Sequence, residues 1–194
     1  MRRTISLITS PEARERLARV RILYTDIDGT LVSSTGSVLT SADGTPSTAL
    51  ATAIVRVAEA GLAVVPVSGR TLLQLREVTQ LLGWHGYIAE AGGIIVHGLG
   101  MSADVRIETG DWTSATIPAG VTPFEAINEI CAVEALMEAF PGRIEPYTSW
   151  KVDRYVTLLL RGCLDHDEAQ EVLDRLPLPI DLVDNGLVRN PGTL

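Results

Sequence analysis

Two aspartates separated by one residue stand directly after a short apolar segment, and their types and spacing suit phosphoryl chemistry. Asp26 and Asp28 follow residues 20–25, whose apolar and β-branched side chains are typical of a buried strand. Gly29 permits a bend that would bring both carboxylates to one site. One carboxylate could attack phosphorus while the other protonates the leaving oxygen and later deprotonates water. A hard divalent cation with oxygen ligands, such as Mg²⁺, would screen carboxylate from phosphate. The alternative is a polar turn that only ends a strand.

A second polar turn, Ser68–Gly69–Arg70, follows the next apolar segment at residues 62–67. A hydroxyl and backbone N–H groups where a strand passes into a helix can hold a phosphate oxygen. Serine–glycine turns are common, so this turn indicates a phosphate site only because it follows the strand next to the one that ends at Asp26 and Asp28. Gly29 and Thr30 complete the set of predicted phosphate-binding residues.

The elements that must position these turns alternate between strand and helix. Ser10 and Pro11 predict the start of a helix through about residue 19, within an extension of residues 1–20. The patterns that follow predict strands at 20–25 and 62–67, a third strand that begins at 86–89, and helices at 48–60 and 72–82; the apolar residues 94–96 come after the third strand. This alternation predicts a Rossmann-like parallel sheet with right-handed crossovers. Ligands bind at the carboxyl ends of such strands, where both polar turns fall.

The amino-acid composition of the sequence changes after about residue 97. Residues 98–120 are rich in Gly, Ser and Thr, and the rest predicts a separate α+β unit. Its predicted elements are helices at 123–140 and 165–176, strands at 155–160 and 179–183, and a turn at 185–186.

Composition narrows the class of protein. The chain has 194 residues and a formal net charge of -8, which argues against nucleic-acid binding because that requires a basic face. Its apolar runs are shorter than the roughly 20 residues that span a bilayer, so we expect no membrane segment. We find no secretory signal pattern. Cys131 and Cys163 lie in apolar surroundings without metal-ligand spacing, which predicts reduced core residues of a cytoplasmic protein.

Together the two turns resemble those of the haloacid dehalogenase-like phosphatase superfamily. The resemblance implies that Asp26 is the nucleophile and Asp28 the general acid/base. It also implies that Mg²⁺ is held by the Asp26 carboxylate and the Asp28 backbone carbonyl, and that Ser68 binds the transferring phosphoryl group. The expected substrate is a small phosphorylated metabolite, hydrolysed through an aspartyl-phosphate.

Residues 87–95, YIAEAGGII, resemble the "I-x-E-N-G-A" stretch of members with a large α/β cap inserted after the third strand. Those members include sugar-phosphate, sucrose-phosphate and mannosyl-phosphoglycerate phosphatases, and phosphomannomutases. Ala91 stands where they usually have asparagine. The resemblance implies a core at 21–96 and a cap at 97–190 that shapes the substrate pocket. Cap residues that could contact the distal group of the substrate, or form solvated surface, are Arg143, Lys151, Arg154 and Tyr155.

The sequence departs from the family pattern after the cap. A basic residue and a Gly-Asp-x-x-x-Asp pair are expected there, but Lys151 lies within the cap and residues 181–185 better fit its last hairpin. Residues 191–194 would begin the return to a core that is C-terminally incomplete. Because the remaining strands of this fold lie beside the first, we expect a continuation past residue 194, a homo-oligomer, or a second chain that completes the sheet.

Other functions stay open from sequence. A phosphomutase would share the nucleophile but return the phosphoryl group to the sugar. A non-catalytic module would keep the fold and lack the metal site, which the missing acidic pair favours. A response-regulator receiver would carry its phosphorylated aspartate at the third strand, where this chain has Ala89–Glu90.

Overall fold

The computed structural model describes residues 10–33, 36–98, 104–108, 112, 116–147 and 153–184. The chain divides into two compact units. The first comprises Met1–Ser68, Leu75–Ile88 and Val96–Asp104, and the second comprises Gly69–Gln74, Ala89–Ile95 and Val105–Leu194. The predicted domain boundaries after residues 20, 96 and 190 stay predictions.

Parallel strands carry the two polar turns. Strand β1 (Ile22–Thr25) pairs in parallel with β2 (Ala63–Pro66), with Ile22 opposite Ala63. A parallel bridge between Val67 and Ile88 connects β2 to β3 (Gly86–Ala89). Strand β3 also belongs to a three-stranded sheet of order β3-β4-β5, in which β4 is Ile94–His97 and β5 is Asp104–Ile107. The predicted α/β fold with a parallel sheet is confirmed.

Helices precede and separate these strands. They are α1 (Pro11–Leu17), α2 (Ala49–Glu59) and α3 (Leu72–Leu82). The Ser10 side chain accepts a hydrogen bond from the Ala13 N–H at 3.1 Å, which confirms the predicted cap of α1. The large side chains buried in this unit include Ile27, Val64, Leu75, Trp84 and Tyr87.

Strand β1 was predicted to be buried, and the structure shows it exposed. Ile22, Leu23 and Tyr24 are all exposed, Tyr24 to 61%. Within the described ranges β1 pairs with β2 on one edge and with no strand on the other. An apolar strand with an open edge is a typical place for pairing with another segment.

The second unit packs helices around an antiparallel strand pair. Strand β6 (Ile144–Pro146) pairs with β7 (Leu160–Gly162). Helices α4 (Pro123–Glu129), α5 (Ala132–Ala139) and α6 (His166–Leu173) accompany them. The core of this unit consists of Ala132, Leu136, Phe140, Ile144, Ala169 and Leu173.

Several element predictions for the second unit were wrong. The single helix at 123–140 is broken by Cys131, whose φ of +55° is left-handed and cannot continue an α-helix. Residues 155–159 and 179–183 are not strands, and strands β5 and β6 were not predicted. Both cysteines are free but exposed, so they are not core residues. The predicted turn at 185–186 lies outside the described residues.

Candidate active site

The two aspartates lie on a tight turn that is anchored by the buried residue between them. Ile27 is buried, and its carbonyl accepts the N–H groups of residues 30–32 at 2.9–3.3 Å. Gly29 has a φ of +83°, a conformation that disfavours a side chain at this position. Asp26 and Asp28, on either side of Ile27, are exposed. The turn therefore presents two carboxylates to solvent from a fixed backbone.

Hydroxyl groups contact the first aspartate. The Thr30 hydroxyl donates to Asp26 Oδ2 at 3.2 Å, and the Thr25 hydroxyl donates to the Asp26 carbonyl at 2.9 Å. A donor on one carboxylate oxygen restricts the rotation of that carboxylate. Thr30, predicted to bind phosphate, therefore contacts the predicted nucleophile.

Backbone hydrogen bonds bring the second turn beside the first. The Val67 N–H donates to the Thr25 carbonyl at 2.8 Å, so Asp26 and Ser68 each follow one member of a bonded pair. Neighbouring strands lie about 4.8 Å apart. The Ser68 N–H donates to the Ile88 carbonyl at 3.0 Å, and Ser68 is 6% exposed. Asp26 and Ser68 therefore occupy the ends of adjacent parallel strands, as the sequence predicted.

A buried carboxylate organises part of the second unit. The Glu90 side chain is 0% exposed. Its Oε1 accepts the Tyr155 N–H at 3.0 Å, and its Oε2 accepts the Val156 and Thr157 N–H groups at 2.9 Å. The Thr157 hydroxyl adds a further bond at 3.2 Å. These donors replace the water that a carboxylate loses on burial.

A buried arginine accompanies this carboxylate. The Arg154 side chain is 1% exposed, and its Nη1 lies 4.0 Å from Glu90 Oε2. Nη1 donates to the Thr157 hydroxyl at 2.6 Å, and Nη2 donates to the Gly69 carbonyl at 2.9 Å. Burial lowers the pKa of Arg154, and the charge of Glu90 opposes that shift. We call Glu90, Arg154 and Thr157 the buried cluster.

The residues predicted to contact a substrate's distal group have different surroundings. Arg154 belongs to the buried cluster, so its donors are used within the protein. Arg143 is exposed, with its guanidinium carbon 5.8 Å from the centroid of the Phe140 ring. Tyr155 is 38% exposed. Lys151 lies outside the described residues. A substrate contact for these four residues stays a prediction.

The aspartate turn fits a hard cation in donor chemistry but offers few side-chain ligands. Carboxylate oxygens of Asp26 and Asp28 suit Mg²⁺, which usually binds one or two carboxylates and keeps several waters. In the part of the chain that the structure describes, His, Cys, Asp and Glu side chains form no group of three that could hold a metal. The residues that would hold a cation at this turn are Asp26 and Asp28.

Comparison with protein families identifies the segment that carries these residues. Residues 23–109 match the model of the haloacid dehalogenase-like hydrolases. The matched range includes Asp26, Asp28, Ser68 and Glu90. This match confirms the resemblance inferred from the two turns, over a segment that makes up less than half of the chain. No protein of curated function matches the chain.

Solved structures similar to the chain carry related descriptions. A haloacid dehalogenase-like hydrolase from B. subtilis is 18% identical, with a TM-score of 0.42, over 66% of this chain and 36% of that one. A phosphatase of the same superfamily from Bacteroides thetaiotaomicron is 18% identical, with a TM-score of 0.41, over 84% and 50%. A subclass IIB sugar phosphatase is 17% identical, with a TM-score of 0.42, over 84% and 51%. The chain thus spans about a third to a half of their lengths.

The buried cluster is the main feature that the sequence analysis did not assign. The sequence pattern assigns no role to Glu90, which lies within residues 87–95 at the end of the third strand, and none to Thr157. A glutamate among apolar residues at the end of a strand is a usable signal, because a buried carboxylate needs donors. Its partners lie 65 to 67 residues further along the chain, and sequence spacing does not identify them.

Proposed function

We propose that this chain carries the nucleophile-bearing part of a Mg²⁺-dependent phosphatase for a small phosphorylated metabolite. The observation that supports this most is the 2.8 Å hydrogen bond from the Val67 N–H to the Thr25 carbonyl. That bond sets the turn with Asp26 and Asp28 beside Ser68, within the matched hydrolase segment. A nucleophile, an acid/base and a hydroxyl donor are the groups that phosphoryl transfer to a carboxylate needs.

The proposed reaction has two steps on these residues. An Asp26 carboxylate oxygen attacks phosphorus, the bond from phosphorus to the leaving oxygen breaks, and Asp28 gives that oxygen a proton. Water then attacks the phosphorus of the aspartyl-phosphate while Asp28 takes its proton, which releases inorganic phosphate and restores the Asp26 carboxylate. The Thr30 hydroxyl orients Asp26, and Ser68 donates to a phosphoryl oxygen. Bound Mg²⁺ would supply positive charge that stabilises the phosphoryl oxygens.

The substrate class follows from the resemblance of residues 87–95 and is a sugar or polyol phosphate. The chain has a net charge of -8, which makes a nucleic-acid substrate unfavourable because both partners would be negatively charged. Two free, exposed thiols, Cys131 and Cys163, fit a reducing compartment such as the cytoplasm. A phosphomutase reaction would use the same Asp26 chemistry and differ in its product.

The test measures hydrolysis of p-nitrophenyl phosphate with Mg²⁺ by the 194-residue chain and its variants. We expect Asp26→Asn to lower kcat at least about a thousandfold, since loss of a nucleophile has costs of that order or larger. Asp43→Asn, an exposed aspartate in a loop, is the matched control and should keep the wild-type rate. Equal activity of the Asp26→Asn variant and the wild type would refute the assignment. A panel of sugar phosphates, analysed for free phosphate and for isomers, then separates phosphatase from mutase.

A non-catalytic module is the second candidate, because the described side chains form no three-ligand metal group. Titration with Mg²⁺ separates the two functions. The phosphatase requires saturable binding that weakens in Asp26→Asn. A wild-type chain that neither binds Mg²⁺ nor hydrolyses any phosphate ester would favour the module.

A further inference from the structure

The open edge of strand β1 carries backbone groups that can pair with another strand. On the other edge, the carbonyls of Arg21 and Thr25 accept N–H groups from the start of β2 and from the residue after it, at 2.9 and 2.8 Å. Successive residues of a strand direct their backbone groups to opposite edges. The N–H and C=O groups of Ile22 and Tyr24 therefore point to the edge at which the described part of the chain has no strand.

The side chains of β1 present apolar surface beside this edge. Ile22, Leu23 and Tyr24 are 48%, 40% and 61% exposed. Because side chains alternate along a strand, Ile22 and Tyr24 lie on one face of the sheet and Leu23 lies on the other. A strand added at the open edge would therefore cover apolar side chains on both faces as well as pair the backbone.

The charges at the two ends of β1 indicate which strand fits the edge. Arg21 stands just before the strand, and its guanidinium donates to the carbonyls of Ala18 and Val20 at 3.1 Å. Asp26 stands just after the strand and is exposed. A second β1 that runs antiparallel would bring each Arg21 near the Asp26 of the other copy, whereas a parallel one would bring like charges together. The edge is thus complementary to itself in the antiparallel direction.

We propose that two copies of this chain pair antiparallel through β1, about a two-fold axis normal to the sheet. Leu23 faces Leu23 of the second copy, and Ile22 and Tyr24 of opposite copies exchange both of their N–H···O bonds. A register centred on Tyr24 would set Ile22 against the Asp26 carboxylate, which disfavours it. The result is a continuous sheet of order β2-β1-β1-β2. The pairing uses only β1, so it does not depend on the proposed phosphatase function.

Disulfide trapping tests the register. Cys131 and Cys163 are free and exposed, so both are first replaced by serine. Directly opposed residues such as Leu23 and its copy have Cα atoms about 4.5 Å apart, which suits a disulfide. We expect Leu23→Cys to form a linked dimer on mild oxidation. Ile22→Cys is the matched control, because the two copies of Ile22 are offset along the strands, and its linked fraction should be at least about tenfold lower. Equal linking of the two variants, or linking of neither, would refute the pairing.

Sedimentation of the unmodified 194-residue chain tests the association itself. The contact is shorter than a standard interface, so we expect a dimer with a Kd on the order of micromolar. Arg21→Glu should raise this Kd about tenfold, because it sets a glutamate near the Asp26 of the other copy. Arg16→Glu, at an exposed position of α1, changes the net charge equally and should shift the Kd less than twofold. A wild type that stays monomeric, as it would if another segment or a different partner covered the edge, overturns the proposal. Equal effects of the two substitutions overturn the antiparallel arrangement.

Discussion

Replacing Glu90 by glutamine tests how strongly the buried cluster stabilises the fold. The substitution keeps the size of the side chain and removes its negative charge. Glu90 Oε2 accepts three hydrogen bonds and Oε1 accepts one, from the Tyr155 N–H. The glutamine oxygen would take the Oε2 position, and its NH₂ group would then face the Tyr155 N–H. One buried donor loses its acceptor, and Arg154 loses its counter-charge.

The expected cost follows from these two losses. An unsatisfied buried donor costs about 1–3 kcal/mol. Removing one partner of a buried ion pair costs about 3–5 kcal/mol, because the remaining charge is uncompensated. The two effects overlap, since both arise from the same carboxylate, so we expect the free energy of unfolding to fall by about 3–5 kcal/mol. For a chain of this length, that corresponds to roughly a 10 °C fall in Tm.

Thermal and urea unfolding, followed by circular dichroism, measure this cost. Glu145→Gln is the matched control, because Glu145 pairs with Arg161 while both side chains are 56% exposed. An exposed pair contributes about 0–1 kcal/mol, so the control should unfold close to the wild type. The double variant Glu90→Gln with Arg154→Met should cost less than the sum of the single changes. The reasoning is refuted if Glu90→Gln and Glu145→Gln unfold at the same temperature.

Three further predictions concern other parts of the chain. Gly162 has a φ of +146°, and a Cβ there would overlap a neighbouring backbone carbonyl, so Gly162→Ala should lower the free energy of unfolding by about 3 kcal/mol. Gly142→Ala is the comparison, because a Cβ there meets nothing within 4 Å, and it should lower that free energy by about 1 kcal/mol. Thermal unfolding measures both. The pKa of His166 is raised above 6.5, and the main cause of this shift is the hydrogen bond between its ring and the Leu182 carbonyl. Its stabilising contribution is thus complete below pH 6.5 and lost as pH rises through the raised pKa, and an NMR titration midpoint at or below 6.5 would contradict this. The pairing of the open edge of β1 with a second copy predicts that Tyr24→Lys lowers the mass measured by light scattering; a wild type that is monomeric at all concentrations would exclude such pairing.

Helices and strands were predicted correctly where the apolar spacing stops at the residue that ends the element. Helix α3 has the predicted bounds, Leu72–Leu82, because its apolar spacing ends at Gly83, whose φ is +69°. The helix predicted at 123–140 failed because its apolar period continues across a break at Cys131. One left-handed residue leaves the spacing of apolar side chains almost unchanged, so periodicity does not reveal the break.

The site was predictable to the extent that sheet topology determines it. Parallel strands end at one edge, and this alone places Asp26 beside Ser68 once β1 and β2 are assigned. The exposure of β1 was not predictable from its apolar residues, because the burial of strand side chains depends on what packs against the two faces of the sheet. The contact from Arg154 to the Gly69 carbonyl spans 85 residues and depends on tertiary packing.

The strand predicted at 155–160 and the buried Glu90 side chain need the same hydrogen-bond donors, and this competition explains one of the errors. A strand at 155–160 would use its N–H groups in a ladder, whereas a buried Glu90 needs donors for its carboxylate. The N–H groups of Tyr155, Val156 and Thr157 all donate to Glu90, so they are not available to a neighbouring strand. A carboxylate that is buried at the end of β3 therefore sets the conformation of a segment 65 residues away. The same contacts place Arg154 beside the Gly69 carbonyl, so the irregular backbone at 155–159 and the orientation of the Gly69–Arg70 peptide have one physical cause.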